Sequence, residues 1–362
     1  MITYPVLAFG HDFGNASECG VLVGGIGKVE CQIPSIASIG SWQKVVSAAH
    51  GSGQSVNDIL APDHYVLEYN SNGTRIEKYI GNKVYADGAT PLTSHGDSSR
   101  YWLNNYSLEM LMVSTASVIR DHEYGVHVVT GLPIKIYLDD ANNIALVKNA
   151  LQGTHVFMLN GIQRVMHVES VNVIMEGAGA LIEHGSKMDV LQGVIDLGGR
   201  TTDLYVSRGQ KPRAANSVGF DMGVASAAER FSEKFREAYH YAPSFETVQA
   251  LLRQHVAGEM YRTVRDKGHE RVPDERLAAL LNSSLREIGK EIATKIAAAW
   301  DNTLNEFDII LIVGGGAYYF AEDIQARIPG ARVAPKPAMA NAFGYARLAD
   351  AIATRSRAMR SA

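Results

Sequence analysis

"GVIDLGGRTTDLYVS" (residues 193–207) combines an apolar strand, a glycine turn and a second strand. An apolar run leads into Asp196, Gly198 and Gly199 form the turn, and strand-like residues resume at Leu204. Glycines beside hydroxyls and an acid are typical of phosphate sites. A P-loop or a dinucleotide-binding fold, however, continues from its glycines into a helix. The stretch therefore predicts a phosphate site built on a β-hairpin.

The composition is that of an ordinary globular protein. A length of 362 residues indicates about two domains, and 46% hydrophobic with 20% charged residues is typical of a soluble chain. The net charge of −4 gives no basic surface for a polyanion, so no direct contact with nucleic acid is predicted. Cys19 and Cys31 lie in strand-like runs, which favours two core residues over a disulfide.

The N-terminus has no charged segment followed by a long apolar core, so no signal peptide is predicted. The longest apolar runs have the length of strands and are too short to cross a bilayer. These observations predict a cytoplasmic protein without a membrane partner.

Strand meanders alternate with helical patterns along the chain. Residues 4–9 open as a strand, 40–63 are predicted as a loop with a short helix, and 274–300 carry the longest helical apolar pattern. The apolar strand 309–313 runs into three glycines, and a helix is predicted over 341–357. The chain is therefore predicted to be α/β with mixed sheets.

The opening stretch has a partner near the N-terminus. "HDFGNASECGVLVGG" (11–25) aligns with "IDLGGRTTDLYVSRG" (195–209), and in both an apolar strand enters the turn and another leaves it. The aligned pairs are Asp12 with Asp196, Phe13 with Leu197, Gly14 with Gly198, Asn15 with Gly199, and Ser17 with Thr201. The alignment predicts a duplicated domain with two facing phosphate hairpins.

Each hairpin combines glycines with an acid. Backbone N–H groups of such turns hold anionic oxygens, and glycine permits their close approach. Asp12 and Asp196 would repel a bare phosphate, so they predict a divalent cation held by hard oxygen ligands and water. The alternative for Asp12 is a turn residue that bonds its own loop; the matching context of Asp196 favours the ligand role.

With these motifs, the chain resembles the actin, sugar kinase and heat-shock chaperone ATPase superfamily. Five segments occur in that superfamily's order: "FGHDFGNAS" (9–17), "VNVIMEGAGAL" (171–181), "VIDLGGRTTDLYV" (194–206), "IILIVGGGAYYF" (309–320) and "ANAFGYARLA" (340–349). The resemblance implies an actin-like two-domain fold, each domain a duplicated ribonuclease H-like mixed sheet flanked by helices, with ATP and Mg²⁺ in the interdomain cleft.

Within the superfamily the chain looks most similar to ParM/StbA-type bacterial and archaeal actin-like proteins. The segments that carry this likeness are "VVTGLPIKIY" (128–137), "IMEGAGAL" (174–181), "IDLGGRTTDLYV" (195–206) and "SVGFDMGVASAAERF" (217–231). The implied domains are residues 1–167 plus 340–362, and residues 168–339. The first hairpin departs from the common pattern because it reads His11-Asp12-Phe13-Gly14-Asn15.

The resemblance also implies roles for single residues. Asp196 is the first candidate for the Mg²⁺ shell and Asp12 the second, and Glu176 is the water-positioning acid. The phosphate cradle consists of Gly14, Asn15, Gly198, Gly199, Thr201 and Thr202. A helix-start acid that interacts with the dipole is the alternative for Glu176. For Arg200, both a place near the phosphates and an outward orientation stay open.

A second glycine turn is the candidate nucleoside site. Gly314, Gly315 and Gly316 follow the apolar strand and precede a helix, so backbone there can contact adenosine and the α-phosphate, with Ala317 and Tyr318 lining the nucleoside. A plain strand-to-helix connection is the alternative. Glu229 and Arg230 either reach the ribose or base, or form a solvated helix face.

Three functions follow as hypotheses. The first is a filament-forming ATPase that uses ATP, with GTP also possible, and Mg²⁺; its partners are its own copies and a DNA-binding adaptor, as in plasmid segregation. The second is a small-molecule kinase of the same superfamily. The third is a nucleotide-dependent assembly module with little hydrolysis.

Overall fold

The computed structural model describes residues 4–14, 17–24, 27–92, 105–185 and 189–361. The chain divides into two compact units. Unit 1 comprises Met1–Leu132, Ile136–Gly185 and Asn341–Ala362, and unit 2 comprises Pro133–Lys135 and Ser186–Ala340.

The strands form one sheet in each unit. Those of unit 1 are β1 (Val6–Asp12), β2 (Ser17–Gly24), β3 (Gly27–Pro34), β4 (Ala37–Ile39), β5 (His64–Ser71), β6 (Thr74–Gly81), β7 (Glu123–Leu132), β8 (Gly153–Leu159) and β9 (Ile162–Met175). Those of unit 2 are β10 (Leu191–Leu197), β11 (Thr202–Arg208), β12 (Lys211–Pro212), β13 (Val218–Phe220), β14 (Ile309–Val313) and β15 (Ala331–Val333).

The α-helices cover these sheets. They are α1 (Trp42–Ser52), α2 (Val56–Ile59), α3 (Asn82–Ala86), α4 (Asn105–Val118), α5 (Ile134–Asp139), α6 (Asn142–Leu151), α7 (Ala178–His184), α8 (Val224–Tyr239), α9 (Phe245–Ala257), α10 (Asp274–Ala299), α11 (Ala317–Arg327) and α12 (Ala340–Ser361). No helix in the described part of the chain is both long enough and apolar enough to cross a membrane.

The sheet of unit 1 has the order β3-β2-β1-β7-β9-β8-β5-β6-β4. Strand β1 pairs antiparallel with β2 and parallel with β7, which pairs parallel with β9. All but the first residue of β7 are buried, as expected for a strand covered on both faces. Helix α4 contributes Met110 and Leu111 to the core that also contains Val128, while Tyr345 of α12 packs with Val129.

The sheet of unit 2 has the order β12-β11-β10-β14-β15, with β13 also paired to β11. Its first hairpin repeats the arrangement of unit 1, because β10 pairs antiparallel with β11 and parallel with β14. Helix α10 buries the predicted apolar stripe at Leu277, Leu281, Leu285, Ile288, Ile292 and Ile296, while Leu280 is half-buried. The helical pattern over 274–300 is thus confirmed.

Residues 40–63 are more ordered than predicted. They contain α1 and α2 instead of a loop with one short helix. The side chain of Ser41 accepts a hydrogen bond from the Lys44 N–H, and Gly53, with φ 69°, donates to the carbonyl of His50. Serine and glycine therefore act here as helix caps.

The division into units falls elsewhere than the predicted boundary between residues 167 and 168. Strand β9 continues without a break through this point and pairs along β7 as far as Met175. Residues 168–185 consequently belong to unit 1.

A substitution at Gly10 tests the main-chain contact between β1 and α12. A Cβ at this position would lie 2.2 Å from the Ala346 nitrogen and 2.3 Å from the Ala342 carbonyl oxygen. Because helix backbone cannot yield as a flexible side chain does, we expect Gly10→Ala to lower the free energy of unfolding by about 1–3 kcal/mol or more, measured by urea denaturation.

The matched control is Gly51→Ala in α1, where a Cβ would meet no atom within 4 Å. It should raise stability by about 0.5–1 kcal/mol, because alanine suits a helix interior better than glycine. Equal stability of the two variants would contradict this account of α12.

Candidate functional site

The hairpin of unit 2 places an acid at the end of a buried strand. Asp196 is opposite Asp203 in the β10–β11 register, and Leu197 is opposite Thr202. The N–H of Gly198 donates to the carbonyl of Thr201 over 2.8 Å and closes the turn. Asp196 is only 7% exposed, so its carboxylate lies where few water molecules compete with a ligand.

The carbonyl groups of this turn are bound by the start of α8. The N–H of Ala225 donates to the Gly199 carbonyl over 2.8 Å, and that of Val224 donates to Gly198 over 3.4 Å. A Cβ at Gly223 would lie 2.6 Å from the Gly198 oxygen, so only glycine permits this contact.

The amide groups of the same turn behave differently from its carbonyls. Within the described part of the chain, the backbone N–H groups of residues 199–201 donate to no protein acceptor. Consecutive free N–H groups in a turn form an anion-binding concavity.

The glycine turn after β14 adjoins this hairpin. The N–H of Gly316 donates to the Leu197 carbonyl over 2.7 Å, and that of Gly314 donates to Pro337 over 2.8 Å. Gly314 has φ 82°, and a Cβ there would lie 2.5 Å from an oxygen of Asp196. Only a residue without a side chain fits this conformation and this space.

The residues of unit 2 fit a magnesium nucleotide. A buried carboxylate stands beside a turn of unpartnered N–H groups, and a second glycine turn touches the same strand end. No group of three or more His, Cys, Asp or Glu side chains in the described ranges is arranged to hold a metal. Mg²⁺ often keeps most of its water and uses one or two carboxylates plus phosphate oxygens, and Asp196 can serve that mode.

Asp203 ties the hairpin to a distant part of the chain. Its carboxylate accepts a hydrogen bond from the Ile134 N–H over 2.8 Å. Burial and, to a smaller extent, the charge of Asp196 raise the pKa of Asp203 to about 7, although the hydrogen bonds from Ile134 and Thr201 oppose this rise. A Cβ at Gly219 would lie 2.6 Å from the same carboxylate oxygen. Asp203 therefore anchors the segment Pro133–Lys135.

The hairpin of unit 1 also places an acid at the end of its first strand. Asp12 ends β1 opposite Cys19, and the N–H of Gly14 donates back to the Asp12 carbonyl over 3.0 Å. Burial raises the pKa of Asp12 to about 7, and a hydrogen bond from the Asn341 side chain opposes this rise. The predicted phosphate ligand Asn15 lies outside the described residues.

A buried pair distinguishes this first hairpin from the second. His11 contacts Glu18, and both side chains are almost fully buried. Burial lowers the pKa of His11 to about 3, and burial together with the charge of Asp12 raises the pKa of Glu18 well above its usual range. Burial therefore disfavours the charged form of both side chains, which is consistent with a packing role for His11.

Glu176 lies in unit 1 at the turn from β9 into α7. Its N–H donates to the Leu132 carbonyl over 2.9 Å, and its side chain is half-buried. The next residue, Gly177, has φ 84° and donates its N–H to the side-chain oxygen of Asn341 over 3.2 Å. Unit 1 thus connects Glu176 and Asp12 through one buried amide.

Comparison with protein families decides the chain's relationship. Residues 40–179 match the family of actin-like proteins, N-terminal domain, and residues 194–326 match the archaeal actin homologue MreB-like family, C-terminal domain. The chain belongs to the actin-like proteins. Comparison with curated protein sequences gave no match.

Solved structures of actin-like proteins share the fold. A ParM from a 15-stranded filament of Clostridium botulinum has a TM-score of 0.76 and 18% identity, covering 96% of this chain and 99% of its own. The archaeal actin homologue Ta0583 in complex with ADP has 0.66 and 16%, covering 95% and 99%. Bacillus thuringiensis ParM with ATP has 0.66 and 15%, covering 96% and 99%. The predicted two-domain actin-like α/β fold, with mixed sheets flanked by helices, is confirmed.

The remaining predicted residues of this actin-like chain lie in varied surroundings. Ala317 is buried at the start of α11 and Tyr318 is 56% exposed. Arg200 and Glu229 are exposed. Arg230 pairs with Glu233 and Glu287, each over 3.3 Å, which favours the solvated-face interpretation for this side chain.

Two side chains differ from their expected surroundings. Thr202 is fully buried, and its hydroxyl donates to the Met222 carbonyl over 2.8 Å, so this group secures the loop before α8. Thr201 is half-buried and bonds Asp203. The phosphate roles assigned to both residues stay predictions, and the turn's backbone amides carry the stronger argument.

Sequence reasoning missed Asp203 and Asn341 as site residues. Asp203 had one signal, because it is the acid opposite Asp196 across a hairpin of predictable register. Asn341 stands in the quoted segment 340–349, but its side-chain partners lie far away in the sequence.

Asp203 should give the ligand-free protein a measurable pH dependence. Its folded-state pKa of about 7 exceeds the ordinary value of 3.8, so the folded chain binds the proton more tightly than the unfolded chain. Its contribution to stability therefore falls as the pH rises from about 4 to about 7 and is constant above that.

Asp203→Asn keeps an oxygen for the Ile134 N–H but cannot ionise. We compare the free energy of unfolding of this variant with that of the wild type at pH 4.5 and pH 7.5. The difference, variant minus wild type, should be larger at pH 7.5 by at least about 1.4 kcal/mol, the equivalent of one pKa unit. Urea denaturation at both pH values measures this gain, and parallel pH profiles would contradict it.

Proposed function

We propose that this actin-like chain is an ATPase that binds ATP with Mg²⁺ and polymerises into dynamic filaments. The observation that carries the proposal is the turn of residues 199–201. Its amides lack protein partners beside the buried carboxylate of Asp196, and the Gly314 turn touches the same strand end. The related structures support it, since they include a ParM filament, an archaeal actin homologue in complex with ADP and a ParM with ATP.

The roles of the residues follow from their chemistry. The amides of residues 199–201 would hold phosphate oxygens, and the backbone of residues 314–316 would approach the nucleoside and α-phosphate. Asp196, and secondarily Asp12, would hold Mg²⁺ through its water shell. When bound, Mg²⁺ neutralises charge on the phosphate oxygens.

Glu176 is the proposed water-positioning residue. Its main chain is fixed by the bond to Leu132, and its side chain is half-buried rather than fully enclosed. A carboxylate in this position can orient a water molecule or accept its proton. Because the chemistry of phosphoryl transfer is mainly positioning and electrostatic stabilisation, the fixed backbone is part of this role.

The biological role is proposed from the same kinship. Filaments of this chain would move or separate DNA, for example a plasmid, through a DNA-binding adaptor protein in the cytoplasm. The chain's own net charge of −4 fits an adaptor better than direct DNA contact. GTP stays possible as a second nucleotide.

The test is to incubate the purified chain with ATP and Mg²⁺ and follow light scattering, pelleting and phosphate release. ATP-dependent pelleting with phosphate release is expected. A soluble protein whose turnover requires a sugar or a small acid would instead indicate a kinase. Nucleotide binding without phosphate release would indicate an assembly module. Either result would overturn the proposal.

Two glycine variants localise the binding within unit 2. Gly314→Ala forces a Cβ against Leu197 and Asp196 at φ 82°, so it should weaken ATP–Mg²⁺ binding at least about tenfold, equivalent to about 1.4 kcal/mol. Gly330→Ala, where a Cβ meets no atom within 4 Å, is the control and should bind as the wild type does. Equal affinities would remove the Gly314 turn from the site.

Glu176→Gln separates turnover from assembly. It keeps the size of the side chain and removes its capacity to accept a proton, so we expect filaments that form but persist, with phosphate release about 10²-fold slower. The control is Glu183→Gln. Glu183 is an acid of α7 that pairs with Lys28 and is not part of the proposed site. Unchanged phosphate release by Glu176→Gln would refute the assigned role.

A further inference from the structure

We propose that Asn341 is a positioning residue that fixes Asp12 and Glu176 relative to each other. The inference rests on the proposed function, because it concerns the two acids that unit 1 would contribute. Asn341 lies at the start of α12 and is only 3% exposed. A buried amide is costly unless its donors and acceptor are used, and here both sides of the amide have assigned partners.

The orientation of the Asn341 amide follows from its partners. Its side-chain oxygen is within 3.2 Å of the Gly177 nitrogen and 3.3 Å of the Ala180 nitrogen. Backbone N–H groups only donate, so the oxygen must face α7. The NH₂ group is then the part of the amide that bonds Asp12.

The other side of the amide restrains the first acid. The side chain of Asp12, at the end of β1, accepts a hydrogen bond from the Asn341 side chain. A fixed donor beside a carboxylate limits the orientations that the carboxylate can take. Asn341 therefore restricts the orientation of the carboxylate that would face Mg²⁺.

The opposite side of the amide acts on Glu176 through the backbone. Gly177 follows Glu176 directly, and the Glu176 N–H is itself bound to Leu132. Bonds on two successive N–H groups leave the peptide of this turn little freedom. One short side chain thus restrains both proposed acids.

Main-chain contacts hold Asn341 in place. A Cβ at Gly344 would lie 1.8 Å from the main-chain oxygen of Gly179, and a Cβ at Gly179 would lie 2.6 Å from the main-chain oxygen of Asn341. Helices α7 and α12 therefore touch through their backbones. Tyr345 lies one turn after Asn341 and borders the same space as Glu176. A Cβ at Gly131 would lie 2.0 Å from the Tyr345 hydroxyl oxygen and 3.1 Å from the Glu176 Cγ.

Two substitutions separate the functions of the amide. Asn341→Asp keeps an oxygen for α7 but loses the donor to Asp12. Asn341→Leu loses both. The matched control is Asn160→Asp, because Asn160 also accepts a backbone N–H, from Val66 over 2.7 Å, and donates to a carbonyl, that of His64 over 2.9 Å.

Hydrogen exchange in the nucleotide-free protein measures the hydrogen bonds that the N–H groups of α7 donate to Asn341. Exchange at Gly177 and Ala180 should be unchanged in Asn341→Asp and faster in Asn341→Leu. The Kd for ATP measures the effect of losing the hydrogen bond from Asn341 to Asp12. Asn341→Asp should raise it about 10–100-fold with Mg²⁺, as is usual for loss of an outer partner of a metal ligand, and much less with EDTA.

Turnover completes the distinction. Asn341→Leu should also lower kcat, because Glu176 loses its restraint, whereas Asn341→Asp should act mainly on KM. Asn160→Asp should lower the melting temperature but leave the Kd for ATP–Mg²⁺ unchanged. A Kd of Asn341→Asp within twofold of a wild type that binds ATP–Mg²⁺, or unchanged exchange in Asn341→Leu, would overturn the inference. A wild type that binds no ATP–Mg²⁺ would instead overturn the proposed function.

Discussion

Backbone meeting backbone at the end of a strand is the constraint on which the candidate site depends. In unit 2, Gly223, Gly314 and Gly316 all approach the main chain between Leu197 and Gly199 closely enough that a Cβ would overlap it. Hydrogen bonds from α8 and from the Gly314 turn use the carbonyl oxygens there. The amides of the turn are left as the groups that can meet an anion. The glycines thus determine both the shape of the turn and the sign of its electrostatic field.

Unit 1 uses the same constraint to bring helices close. Gly10 admits α12 against β1, and Gly179 with Gly344 admits α12 against α7. Asparagine has a short side chain, and it spans from Asp12 to Gly177 only because these elements are so near. Close packing and the proposed positioning of acids are therefore two results of one sequence property. A larger residue at any of these glycines would separate the elements before it affected any ligand.

The sequence was informative where chemistry and local pattern coincide. The hairpin around Asp196, the glycine turn at Gly314 and the stripe of α10 each occupy one short window, so their form could be predicted. Asp203 and Asn341 could not be assigned in this way, because their partners lie 69 and 164 residues away. One of the two helices within residues 40–63 was missed for a different reason: serine and glycine residues are equally typical of a loop and of helix caps. The short strands β4, β12, β13 and β15 were missed because two or three residues cannot display an alternation.

The bond between Asp203 and Ile134 has a consequence for how the chain can be divided. Pro133–Lys135 belongs to unit 2 although 50 residues of unit 1 follow it. A fragment that began at residue 186 would retain the buried carboxylate of Asp203 but not the Ile134 N–H that donates a hydrogen bond to it. The modular boundary of this protein is therefore not a cut in the sequence. A self-sufficient second module would have to recover three residues from outside its continuous span, for example by a circular permutation that joins them to its end.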